Sequence, residues 1–143
     1  KKSLGWGRRN FALNQSDPAG HEFVLGDVFD WLRRWHRKKR SFDVVVVDPP
    51  TFSQSKASGV FRVEKNYGEL IEAALRVLRP GGVLLASTNA AGWKPEEFLD
   101  PVHAAIARSE RRIVREQYEP QPFDFPVSRE EPAYLQTAWF QVG

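Results

Sequence analysis

The sequence predicts an α/β fold: a mostly parallel sheet closed by an antiparallel hairpin at its carboxyl end. Three observations carry this. Phe42-Asp43-Val44-Val45-Val46-Val47 is a β-branched run of the kind that fills a central strand buried on both faces. Strand patterns alternate with helical patterns, which implies parallel strands joined by right-handed crossovers. The last two strand patterns, residues 113–118 and 134–142, are separated only by the proline-rich stretch 120–132. With no helix between them, one of the two is expected to run antiparallel.

Each element follows from local chemistry. Leu4, Arg8 and Phe11, with Trp6 and Leu13, fit a short amphipathic helix ending near Asn14. Residues 15–20, with Asp17-Pro18, form a turn, and residues 21–25 a short strand. Asp27 reads as an N-cap, and Val28, Leu32 and Trp35 follow on one helical face. Residues 53–65 are rich in Ser, Lys and Gly and are expected to form a long functional loop. Leu70, Ala73, Ala74, Val77 and Leu78 make a helix that Pro80-Gly81-Gly82 should terminate. Residues 83–86 form a further buried strand and residues 96–108 a further helix.

The 143 residues suffice for one domain or most of one. Neither a membrane-spanning apolar run nor a signal peptide is present, so a cytoplasmic protein is expected. The absence of cysteine removes disulfides, thiolate metal sites and cysteine nucleophiles together. The net charge is only +3, yet the pI is near 9.4 and the cations cluster, which points towards a polyanionic partner. The densest cluster is Arg33-Arg34-Trp35-His36-Arg37-Lys38-Lys39-Arg40. As the last turn of a helix it complements the macrodipole and stays solvated. As an RNA-facing patch it would use Arg33, Arg37, Lys38 and Arg40; the two readings are compatible.

The most informative stretch is Asp48-Pro49-Pro50-Thr51-Phe52, directly after the valines. Neither proline can donate a hydrogen bond, and each biases its predecessor to extended geometry. The result is a rigid turn that presents a carboxylate and backbone carbonyls at the strand's carboxyl end, where open α/β sheets bind ligands.

These motifs resemble the bacterial 23S ribosomal RNA methyltransferases that use S-adenosylmethionine. The likeness runs through Ser3-Leu4-Gly5-Trp6, Asn10-Phe11-Ala12-Leu13-Asn14, Gly26-Asp27, Asp48-Pro49-Pro50-Thr51-Phe52-Ser53-Gln54-Ser55-Lys56 and Leu78-Arg79-Pro80-Gly81-Gly82. It is nearest to the guanine-N7 methylating domain and next to the cytosine-C5 branch. It implies a Rossmann-like class I methyltransferase fold, S-adenosylmethionine as cofactor and ribosomal RNA as partner. It further implies that Asp27 bonds the adenine amino group, with the Val28 backbone beside the ring. As a plain N-cap, Asp27 would need no ligand. Asp48 and Pro49, followed by Pro50, would sit beside the sulfonium and the target base. Phe52 would stack on an extruded base or tuck into the core. Lys56 and Arg62 are candidate phosphate contacts, and Asn89 would read a base edge or simply serve a turn.

Residue chemistry bears on which atom is methylated. Cytosine C5 is a poor nucleophile and requires a thiolate adduct. Where the C5 branch is expected to carry its cysteine, this chain reads Ser87-Thr88-Asn89. Guanine N7 offers an in-plane lone pair and needs only alignment with the sulfonium. An exocyclic amine would also suit an Asp-Pro-Pro turn.

The sequence lacks the glycine-rich strand-to-helix loop and the ribose-binding acid that this fold normally carries. The expectation is therefore a carboxyl-terminal part of a larger enzyme, without the first two strands. Such a piece would rearrange, borrow strands from a second copy as a homodimer, or lose cofactor affinity. The absence of methionine agrees with truncation.

Overall fold

A computed structural model describes residues 2–55, 59–125, 127–130 and 132–143. The elements are α1 (Lys2–Leu13), a 3-10 turn (Pro18–Gly20), α2 (Val28–Arg37), β1 (Phe42–Val47), β2 (Phe52–Ser55), β3 (Gly59–Arg62), α3 (Val63–Leu75), β4 (Leu78–Thr88), α4 (Pro95–Arg108), β5 (Ile113–Pro120) and β6 (Gln136–Val142). The main sheet has the order β1-β4-β6-β5. β1 and β4 pair in parallel, and β6 runs antiparallel to both β4 and β5. Three of the four strands thus share one direction, and the expected carboxyl-terminal antiparallel hairpin is present. Among the described residues no helix is long and apolar enough to cross a membrane.

Register explains the burial. Val45, Leu84 and Phe140 align across the sheet, as do Val47, Ala86 and Ala138. These rows lie under α2, α3 and α4, and Leu84, Ala86, Ala138 and Phe140 are fully buried. The intervening rows, Val44–Val83–Gln141 and Val46–Leu85–Trp139, occupy the other face. There Val44 is 52% and Val46 60% exposed. The expectation that β1 is buried on both faces is therefore not met: helices cover one face only, and β1 is an edge of the described sheet.

Four other expectations change. Residues 21–25 join no ladder. They are held instead by side chains: Phe23 packs edge-on against Phe11 of α1 at 5.5 Å, and His21 lies 4.5 Å from the same ring. Of the expected loop 53–65, the described residues 53–55 and 59–65 lie in strands and in the start of α3. β2 and β3 pair antiparallel across them, with Phe52 opposite Arg62 and Ser53 opposite Phe61. The helix expected at 70–78 starts earlier and stops earlier, at Leu75, and Pro80-Gly81-Gly82 lies within β4 instead of ending a helix. The β1–β4 register shifts between Phe42 and Val44 to absorb that turn. Gly82 is required there, because a Cβ would sit 2.9 Å from the Arg79 carbonyl oxygen and 3.0 Å from that of Asp43. Finally, β6 begins at Gln136, since the Tyr134 and Leu135 amides donate to Gln121 Oε1 and not to a strand.

Candidate active site

The carboxyl half of β1, the β2–β3 hairpin, α2 and the Leu70–Ala74 stretch of α3 enclose one cleft of about 400 Å³. That is within the range of small-molecule sites. Val45, Val46 and Val47 form one wall; Phe29, Leu32 and Trp35 of α2 form another; Leu70 and Ala74 of α3 close the back. Two carboxylates enter this apolar slot, Asp27 and Asp48, with Val28, Pro49 and Pro50 beside them.

Asp27 is fixed by its neighbours. Its Oδ1 accepts from the amides of Phe29 at 3.0 Å and Asp30 at 3.3 Å, which caps α2. The turn before it is set by Gly26 at φ +150, and a Cβ there would lie 2.7 Å from Trp31 Nε1. That indole N–H donates to the Leu25 carbonyl at 3.2 Å. Glycine and tryptophan together thus fix the turn that carries Asp27 into the lining of the cleft.

Asp48 is exposed at the end of β1, where Pro49 and Pro50 stop the ladder. Beneath it lies Tyr67, which is 1% exposed and donates from its hydroxyl to the Ser87 carbonyl at 2.8 Å. This bond ties α3 to the end of β4. Burial above all, with the negative charge of Asp48 adding to it, pushes the Tyr67 phenol well above its ordinary range. Trp93 and Phe98 pack on the same ring at 6.2 and 5.9 Å. Gln136 Nε2 donates to the Trp93 carbonyl, and Thr88 Oγ1 accepts from the Ala90 amide. Ser87 and Thr88, in the segment expected to hold the cysteine of a C5 enzyme, are buried structural residues.

The other sequence-derived candidates divide into two groups. Phe52 is 53% exposed beside the cleft, and the Arg62 guanidinium lies 5.5 Å from its ring centroid. Asn89 is exposed just past β4. Lys56 lies outside the described residues. Arg37, Lys38 and Arg40 stand at or just past the opposite end of α2, about 15 Å away by the rise of its ten residues, and Arg33 lies midway along the helix. Arg33 pairs with Asp30. Arg40 pairs with Glu22 and stacks over Trp35 and Phe42 at 5.6 and 5.1 Å. Sequence reasoning missed Phe29, Phe61 and Tyr67; the alternation of Ser53 and Phe61 against Phe52 and Arg62 was the available signal for the second of these.

The cleft fits S-adenosylmethionine in part. Its apolar walls suit a flat heteroaromatic ring, Asp27 can accept from an amino group, and Asp48 complements a sulfonium cation. No groups for the methionine carboxylate or the ribose hydroxyls are evident among the described residues that line it.

Known proteins resemble this chain in sequence and in fold. Residues 1–138 match the family model described as S-adenosylmethionine-dependent methyltransferase. A ribosomal RNA large subunit methyltransferase of Deinococcus radiodurans is 35% identical over 94% of this chain and 33% of its own length. Ribosomal RNA large subunit methyltransferase K of Neisseria meningitidis serogroup B is 34% identical over 77% of this chain and 31% of its own. The chain thus spans about a third of the length of these relatives. Among solved structures, a methyltransferase complexed with SAH superposes with a TM-score of 0.82 at 30% identity, covering 98% of this chain and 37% of that one. A SAM-dependent methyltransferase from Agrobacterium tumefaciens shares the fold, with a TM-score of 0.75 at 14% identity and 99% and 46% coverage. Fold and family match converge, and the chain belongs to the S-adenosylmethionine-dependent methyltransferases.

Proposed function

We propose that this chain is the substrate-side, carboxyl-terminal part of a cytoplasmic class I methyltransferase that modifies a base of large-subunit ribosomal RNA, at guanine N7. The observation that carries the reading is the convergence of Asp27 and Asp48 on one apolar cleft at the carboxyl end of β1. The ribosomal RNA relatives support the substrate class. The open β1 edge is the place where preceding strands of the same domain would pair, and those strands would supply the missing ribose and methionine contacts.

The cofactor supplies an electrophilic methyl group on a cationic sulfur. Methyl transfer from that sulfur to N7 would need no proton to be removed from the base. The protein's task is then alignment and water exclusion. Asp27 with the Val28 backbone would hold the adenine, and Asp48 with Pro49 would fix the sulfonium end. Pro50 and Phe52 would border the base, with Arg62, Lys56 and Asn89 around its phosphates and edges. Arg37 and Lys38 would add a remote phosphate contact.

Calorimetric titration of S-adenosylmethionine is the test of the cofactor site, in this chain and in the full-length protein. Micromolar binding by the full-length protein supports the reading; none would leave a non-catalytic RNA-binding fragment. Binding by this chain alone, with dimerisation, would point to strands borrowed from a second copy. A second target, an exocyclic base amine, is favoured by the Asp48 carboxylate beside the proline carbonyls, which can accept its hydrogens. Mass spectrometry of the methylated nucleoside separates the two.

A further inference from the structure

The β2–β3 hairpin has two unlike faces. By the alternation of its register, Ser53 and Phe61 lie on one face, and Phe52, Gln54, Val60 and Arg62 on the other. The first face belongs to the cleft: Ser53, Gly59 and Phe61 line it together with Asp27 and Asp48. The second is open, with Phe52 and Val60 about half exposed and Arg62 stacked on Phe52.

A two-stranded hairpin is marginal by itself, so its position depends on what anchors it. At its base the Val63 amide donates to the Thr51 carbonyl at 3.1 Å, and the Arg62 amide to Asn66 Oδ1 at 3.0 Å. Beyond the base, Phe61 is its one buried hydrophobic side chain among the described residues. The Phe61 ring centroid lies 6.4 Å from that of Phe29, the residue whose amide caps onto Asp27. A ligand filling the cleft therefore presses on the single side chain that seats the hairpin.

We infer that Phe61 is a positioning residue that couples the two faces: cofactor in the cleft holds the hairpin so that Phe52 and Arg62 form a stacking platform for a single-stranded nucleobase. The inference rests on the cofactor and RNA reading above. The ligand that binds first bears the ordering cost, and the second binds more tightly, reciprocally.

The test uses the full-length protein and a single-stranded RNA oligonucleotide containing 2-aminopurine, whose fluorescence reports stacking. Saturating SAH should tighten RNA binding about tenfold, within the usual span of such couplings. It should also slow amide hydrogen exchange at residues 59–62. In Phe61→Ala the factor should fall to near one, whereas Phe61→Leu, which keeps an apolar plug, should retain a factor of several. SAH binding with unchanged RNA affinity and unchanged exchange at 59–62 would overturn the coupling alone. Coupling of wild-type size in Phe61→Ala would overturn the role of Phe61. Failure of the wild-type protein to bind SAH would overturn the cofactor reading, and this inference with it. Should Phe61→Ala not fold, Phe61→Val takes its place in the same measurement, and coupling of wild-type size in it would overturn the role of Phe61.

Discussion

The two ends of the parallel strands carry opposite chemistry. At the carboxyl end, Asp27 and Asp48 enter an apolar cleft of about 400 Å³. At the amino end lies a second cleft, of about 460 Å³, lined by His36, Arg76, Arg108 and Arg111. By charge the second would be the better anion site, yet His36, Arg108 and Arg111 there are engaged internally. Arg111 donates to the carbonyls of Leu75, Leu78, Arg79 and Val142 at 2.9–3.1 Å. Arg108 pairs with Glu72, Arg79 with Asp43, and His36 Nδ1 meets the Arg76 carbonyl. The ends of α2, α3 and α4 that face this side are their carboxyl termini, where orphan carbonyls and the negative dipole end attract cations. A cavity's size says little about its use; what its polar groups are already bound to says more.

The contrast can be broken most sharply by exchanging damage between the two ends. Asp48→Ala in the full-length protein should reduce methyl transfer to ribosomal RNA by about 100-fold or more through lost alignment. Its melting temperature should stay near wild type, because Asp48 is exposed. Wild-type turnover in this variant would remove Asp48 from the site. Arg111→Ala should do the reverse, lowering unfolding free energy by about 2–3 kcal/mol in urea titrations because carbonyls of three elements lose a charged donor. Burial lowers the Arg111 pKa, but a guanidinium keeps its proton in a folded protein, so this contribution should not vary with pH near neutrality.

Gly26→Ala is the intermediate case, since it strains the site's frame and not its chemistry. Its φ of +150 and the 2.7 Å approach to Trp31 should cost about 1–3 kcal/mol, and SAH affinity should fall as Asp27 turns away. Calorimetry with SAH beside urea unfolding measures both effects.

A pH effect is expected from Tyr67. Its folded pKa is raised above the unfolded value near 10, so its stabilisation is complete below about pH 10 and is lost as pH climbs beyond that. Wild type should therefore lose stability above pH 10 more steeply than Tyr67→Phe, with denaturation midpoints as the readout. The smallest effect concerns the remote cluster. Neutralising Arg37 and Lys38 should leave the melting temperature unchanged and lower the salt slope of RNA binding by about one unit for each phosphate that no longer meets a cation. Neutralising Arg40, which is paired and stacked, should change stability instead.

What the sequence disclosed depended on whether the signal was local. Asp27 and Asp48 were legible because caps and proline-terminated strands are written in a few adjacent residues. The helical face of α2 was legible from its spacing. The β2–β3 hairpin was not, since Phe52–Ser55 and Gly59–Arg62 are short and mostly polar and take their place from Phe61 packing on a distant helix. Pro80-Gly81-Gly82 misled in a different way: these punctuating residues mark a bend, but nothing local says whether a helix or a strand contains it. Arg111 looks like one more surface cation until three segments deliver their carbonyls to it. The exposed Val44 and Val46 were unreadable for the same reason, because a strand's neighbours decide whether valines are core or surface.

β6 is the last strand in chain order, yet it lies between β4 and β5 in the sheet. Its partners span the molecule, with Val142 opposite Gly82 and Gln136 opposite Thr88. Ladders between residues so far apart close slowly, because chain entropy is given up before pairing compensates for it. During synthesis, β4 must wait with one edge unpaired until β6 has left the ribosomal tunnel. A stall or a premature stop before Gln136 would leave an apolar strand edge bare, the form in which a nascent chain calls on a chaperone.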